Sequence, residues 1–122
     1  MTVLVDNDEA LHRQVHCCKE DGTPMSLNFR PSPKDNGYLS TRQGSVVTAE
    51  EAYEDHKADG WKTLGTWTFL VNETELLVID DQHEPGQPRG HASVDFHGFT
   101  TKAQAERESK RLALCARNTH AP

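Results

Sequence analysis

The sequence predicts an α+β fold: a small, mostly antiparallel sheet of four to six strands, with one helix in the middle of the chain and one at its C-terminus. Short stretches of period-two alternation supply the strands, two capping boxes open the helices, and Gly- and Pro-bearing turns punctuate both. Strands interrupted by one helix and closed by another make the class α+β rather than all-β. At 122 residues the chain suits a single domain, 1–122, with an ordered core at about 10–117.

In chain order, Leu11, Arg13 and Val15 fall on one face of an expected strand over Leu11–His16, although a short helical turn after Asp8 also fits. Asp21-Gly22-Thr23-Pro24 reads as a turn, and Met25, Leu27 and Phe29 alternate as a strand would. Pro31-Ser32-Pro33 stops that strand, because proline removes ladder donors. Asp35-Asn36-Gly37 is a second turn, followed by a short strand over Tyr38–Thr41.

Thr48-Ala49-Glu50-Glu51 is a capping box, so a helix begins at Thr48 and ends at Gly60. Ala49, Ala52, Tyr53 and His56 share its inward face by three-four spacing. Thr66–Val71 is rich in aromatic and branched residues and predicts a strand. Asn72–Glu75 is a turn or one helical turn, and Leu76–Ile79 a buried strand. After a polar loop over residues 80–90, His91–Phe96 alternates, with Ala92, Val94 and Phe96 inward and His91, Ser93 and Asp95 on the other face. Thr101 and Gln104 cap a final helix running to about Arg117, with a weak stripe of Ala105, Leu112, Cys115 and Ala116.

Leu, Ile, Val and Phe total 23 of 122 residues, a thin supply for a core that approaches disorder-prone composition. Nine bulky apolar residues fall between Leu64 and Ile79, which concentrates that supply. No apolar run reaches the roughly 18 residues of a membrane span, and the N-terminus lacks the pattern of a signal peptide. Cys17, Cys18 and Cys115 are odd in number and lack the spacing of a disulfide framework. A reducing, cytoplasmic setting is therefore expected.

Net charge is −6, spread as −5 over residues 1–60, −4 over 61–99 and +3 over 100–122. An acidic body argues against nucleic acid as the partner; it suits a basic protein partner or simply keeps the chain soluble. The basic tail (Lys102, Arg107, Lys110, Arg111, Arg117) is diluted by Glu106 and Glu108 and reads as a solvated face.

His12, His16, Cys17 and Cys18 place four soft or borderline ligands in seven residues, but structural zinc sites draw their ligands from two separate places. No metal and no cofactor is expected. Within Phe29-Arg30-Pro31-Ser32-Pro33-Lys34-Asp35, the prolines hold Arg30 and Lys34 on a stiff segment suited to carboxylate or phosphate. An internal ion pair to one of the many carboxylates is the competing use of Arg30. The His91/Ser93/Asp95 face offers an acid or base if His16 or Arg30 lies opposite. No dinucleotide fingerprint, P-loop or nucleophile elbow is present.

Taken in order, Leu11–His16, Phe29–Asp35, Leu39-Ser40, Thr48–Ala52 and His91–Phe96 resemble blocks shared by a group of small bacterial proteins of no assigned activity. The likeness runs over roughly residues 10–112, and Phe-Arg-Pro-Ser-Pro-Lys-Asp is its most specific part. It implies a bacterial origin and little chemistry. Cys17 after the first histidine block and Gln87-Pro88-Arg89-Gly90 before the second depart from the group's pattern.

Two classes of function follow. The first is an acidic protein-binding module, an immunity- or antitoxin-like inhibitor or adaptor, with Arg13, Arg30, Lys34, Asp35 and Asp95 as its binding residues. The alternative is a small enzyme acting on a nucleotide or other phosphate-bearing substrate, with His16, Arg30 and His91 as catalytic residues. That alternative requires the three side chains to converge.

Overall fold

The computed structural model describes residues 2–122. Strands β1 (Thr2–Val3), β2 (Ala10–Val15), β3 (Tyr38–Gln43), β4 (Gly65–Leu70), β5 (Val78–Asp80), β6 (His91–Asp95) and β7 (Arg117–His120) form one sheet in the order β1-β5-β6-β3-β2-β4-β7. Every neighbouring pair is antiparallel. Helix α1 (Ala49–Ala58) follows β3, and α2 (Lys102–Cys115) follows β6. Both open on the capping boxes seen in the sequence, Thr48 with Glu51 and Thr101 with Gln104. Among the described residues no helix is long and apolar enough to cross a membrane.

Alternation along the strands divides the sheet into two unlike faces. Leu11, Val15, Leu39, Phe69, Ala92 and Val94 project to one side and are buried, with Phe29 and Leu112 of the covering segments packed among them. Polar side chains occupy the other side: His12, Gln14, Ser40, Arg42, Thr66, Thr68, His91 and Ser93. Helix α1 crosses that side over β2, β4 and β7, where Thr66 Oγ1 donates to the Ala49 carbonyl at 2.9 Å. The polar side over β3 and β6 lies beyond the helix.

The α+β class holds, with seven strands where the sequence predicts four to six. β1 and β7 are the additional pieces, both on the sheet edges. β7 reads Arg-Asn-Thr-His, with no apolar period to betray it; pairing to β4 makes it a strand. Consequently α2 stops at Cys115 instead of continuing to about Arg117. Its buried face includes Glu108, which lies outside the apolar stripe and accepts from Thr74 Oγ1 at 2.6 Å and Arg111 Nη2 at 2.7 Å.

Met25–Phe29 is a second correction. Instead of a strand, Ser26–Phe29 forms a 3-10 turn, with the Asn28 amide donating to the Met25 carbonyl at 3.1 Å. Asn28 and Phe29 are both buried while Leu27 is exposed, an arrangement that alternation cannot satisfy. The third correction is at Leu76–Ile79: only Val78–Asp80 forms the strand, and Leu77 is exposed. Asn72–Glu75 resolves as a 3-10 turn over Val71–Glu73.

Candidate active site

Three adjacent strands put His12, Arg42 and His91 side by side on the polar face, because His12 pairs in register with Arg42 and Arg42 with His91. Two strand spacings separate the histidines, or about 10 Å, with the arginine between them. His56 and Ala52 of α1 and the Gln87-Pro88 loop wall this row into a groove of 230 Å³. Gly90 delivers the chain into β6 at φ +79°, and a β-carbon there would stand 3.1 Å from Val46 Cβ.

His91 is buried and firmly oriented. Its Nδ1 donates to Asp81 Oδ1 at 2.5 Å, and Ser93 Oγ donates to Asp81 Oδ2 at 2.6 Å, so both carboxylate oxygens are engaged. An ionised carboxylate only accepts, which assigns the ring proton to Nδ1. Nε2 has no protein partner among the described residues. No fully buried side-chain nitrogen or oxygen there goes unpaired, so Nε2 keeps some exposure, and His91 lines the groove. A carboxylate on Nδ1 thus holds the ring in one tautomer and leaves Nε2 as the acceptor nitrogen.

Arg42 and Arg13 bring the positive charge. Arg42 Nε donates to the Arg89 carbonyl at 2.7 Å and Nη2 to Asp55 at 3.0 Å. Nη1 has no protein partner among the described residues. Arg13 fills a gap between strands: β2 and β3 pair only at Leu11–Gln43 and His12–Arg42 and then separate. Its Nε donates to the Asn28 carbonyl at 2.7 Å and its Nη1 to the Ser40 carbonyl at 2.9 Å. Both acceptors are neutral, and no carboxylate pairs with Arg13 among the described residues. Burial pushes its pKa down to about 10, with Asp35 pulling the other way. At neutral pH it therefore keeps a full charge while half-buried beside neutral acceptors, and an anionic ligand would balance it.

Burial likewise holds the other two rings toward the neutral form. His12 is lowered by desolvation, offset by the Val47 carbonyl and Glu9. His56 is lowered by desolvation and then by Arg13. His12 Nδ1 is tied to Thr68 Oγ1 at 2.7 Å, so it is a structural neighbour more than a free base.

Arg13, Gln14, Ser40 and His56 also wall a second, larger groove of 710 Å³. His16, Arg30 and Lys34 line this one. The three expected catalytic residues thus divide, with His16 and Arg30 in the larger groove and His91 in the smaller, across a shared wall. Arg30 Nη1 stands 3.7 Å from Glu106 Oε1, the internal ion pair that competes with ligand binding. Lys34 Nζ sits 5.1 Å from the Trp61 ring centroid. Asp35 accepts from the Ser32 amide at 2.9 Å and closes a local cap. Asp95 does the same for the 3-10 turn Phe96–Gly98, accepting from the His97 amide at 2.9 Å. Among the described residues no three His, Cys, Asp or Glu side chains gather as a metal site.

The sequence reading passes over Asp81, Arg42 and His56 as site residues. Extending the Tyr38–Thr41 strand by two residues places Arg42 in alternation with Ser40, which was a usable signal. Asp81 had none, since its approach to His91 depends on how β5 pairs with β6. No family model, curated protein or solved structure matches the chain, so the site stands on its own geometry.

Proposed function

We propose that the protein is a small enzyme acting on a phosphate-bearing small molecule, with His91 as its acid–base group. The observation that carries this is the Asp81–His91 pair, which leaves Nε2 open beside its register neighbour Arg42. Arg42 Nη1 and Arg13 Nη2 hold the phosphate, since a guanidinium fits phosphate oxygens in a fork. His91 Nε2 takes a proton from a water as its oxygen bonds to the phosphorus, and gives that proton to the alcohol oxygen that leaves as the ester P–O bond breaks. Asp81 is a positioning residue: it fixes the tautomer and balances the imidazolium.

The test is a panel of phosphomonoesters and nucleotides followed by phosphorus NMR. At least one compound is expected to be altered, and His91→Gln to slow it by about 100-fold or more with affinity nearly unchanged. Arg42→Gln should chiefly weaken binding. Turnover that survives His91→Gln, or binding that ignores Arg42→Gln, contradicts the assignment.

A second reading, the immunity- or antitoxin-like inhibitor or adaptor, is favoured by the acidic net charge of −6 and by exposed Trp61, Leu27 and Leu64. A stoichiometric protein partner whose affinity falls steeply with salt, with no compound in the panel bound, would select it. Bacterial origin and cytoplasmic residence are proposed with either reading, from the sequence blocks and the unpaired cysteines.

A further inference from the structure

The larger groove carries features that holding a phosphate does not require. Trp61 is 56% exposed at its rim, although exposed tryptophan is costly in a chain with so little apolar material. Its position is set by the backbone: Gly60 turns the chain at φ +90° after α1, and the Trp61 amide donates to the His56 carbonyl at 3.2 Å. The His56 and Trp61 ring centroids lie 6.3 Å apart with their planes 29° from parallel, at the end of the helix that this turn closes. Direct ring contact needs about 3.5 Å, and a third ring between two others needs about 7 Å. A base enters between them as the exposed Trp61 side chain turns outward.

The groove's charge opposes that of the whole protein. Arg13, His16, Arg30, Lys34 and Lys62 line it against a single carboxylate, Asp35, which is already engaged by Ser32. The Lys34 ammonium over Trp61 adds a cation beside the ring. At 710 Å³ the space exceeds that of a bare phosphate or sugar phosphate and lies within the range of small-molecule pockets. Arg13, Gln14, Ser40 and His56 line both grooves, so the two adjoin across these four side chains.

Resting on the phosphate reading above, we infer that the larger groove is a nucleobase subsite: the base inserts between Trp61 and His56, and the phosphate of the same nucleotide extends past Arg13 toward Arg42 and His91. The substrate class is then a nucleoside phosphate rather than a sugar phosphate. Trp61 is the specificity-determining residue, and Lys34 supports it from the ring face.

Calorimetric titration with adenosine and uridine monophosphates, ribose 5-phosphate and inorganic phosphate tests this on the full chain. The nucleotides are expected to bind about tenfold or more tightly than ribose 5-phosphate, from stacking alone. Trp61→Ala should erase that advantage while leaving inorganic phosphate binding unchanged, and Trp61→Phe should restore most of it. Equal affinity for the nucleotides and ribose 5-phosphate overturns the base subsite and leaves the phosphate reading intact. An advantage that survives Trp61→Ala overturns it as well. Absence of binding by all four, inorganic phosphate included, overturns both.

Discussion

His12 and His56 lie below the ordinary histidine value of 6.5 because the sheet and α1 keep water from their rings. Their pH response follows from that direction. In the unfolded chain each ring takes a proton near pH 6.5, whereas in the folded chain it does so only at lower pH. Between those limits the unfolded state binds more protons, so stability falls as pH drops through about 6.5 and levels off below the folded values. Urea unfolding midpoints across this range should show the loss, and His12→Gln should flatten part of it. An unchanged slope in the variant would show that the His12 ring is not kept neutral by burial. His91 belongs to a different environment, with Asp81 on one nitrogen and the groove on the other. None of this was readable from spacing, because Asp81 is ten residues away in sequence and Arg42 more than forty.

At the scale of elements, the 3-10 turn Ser26–Phe29 does more for the site than the expected strand would have done. Asn28 is fully buried; its Nδ2 donates to the carbonyls of Cys17 and Met25 at 2.8 and 2.7 Å, and its Oδ1 accepts from the His16 amide at 3.0 Å. This ties the end of β2 to the turn and fixes the Asn28 carbonyl that receives Arg13 Nε. Asn28→Ala strands several of these groups and should destabilise the domain by about 3 kcal/mol. Phosphate affinity should weaken with it as Arg13 loses its seat. Chemical denaturation and calorimetry of the one variant read both effects, and a loss under about 1 kcal/mol would show that water replaces the amide. Helices were legible because capping boxes are local chemistry: Thr48 with Glu51 and Thr101 with Gln104 name their own starts. The turn was not, because Met25, Leu27 and Phe29 mimic a strand until the burial of Asn28 is known.

Across the whole molecule, the thin core is sufficient because one face of the sheet takes nearly all of it. The apolar concentration seen between Leu64 and Ile79 contributes Phe69, Val71 and Val78 to that core, while Leu64 and Leu77 stay exposed. The opposite face is left to hydrogen-bonded polar residues, and α1 covers only part of it, which is why the grooves form over β2, β3 and β6. The chain's net charge of −6 conceals this. The smaller groove is lined by Arg13, Arg42 and three histidines against Asp59, and the larger by Arg13, Arg30, Lys34 and Lys62 against Asp35. Total charge pointed to a basic partner, whereas the local field favours an anionic ligand.

The proposed chemistry rests on His91 Nε2 meeting an anion beside Arg42. Side-chain nitrogen NMR of histidine-labelled protein, titrated with inorganic phosphate, tests it most directly. Expected are a proton on His91 Nδ1, a saturable shift at His91 Nε2 larger than at His12, and loss of that shift in Arg42→Gln. A His91 signal that ignores phosphate, or one that responds equally in Arg42→Gln, would contradict it.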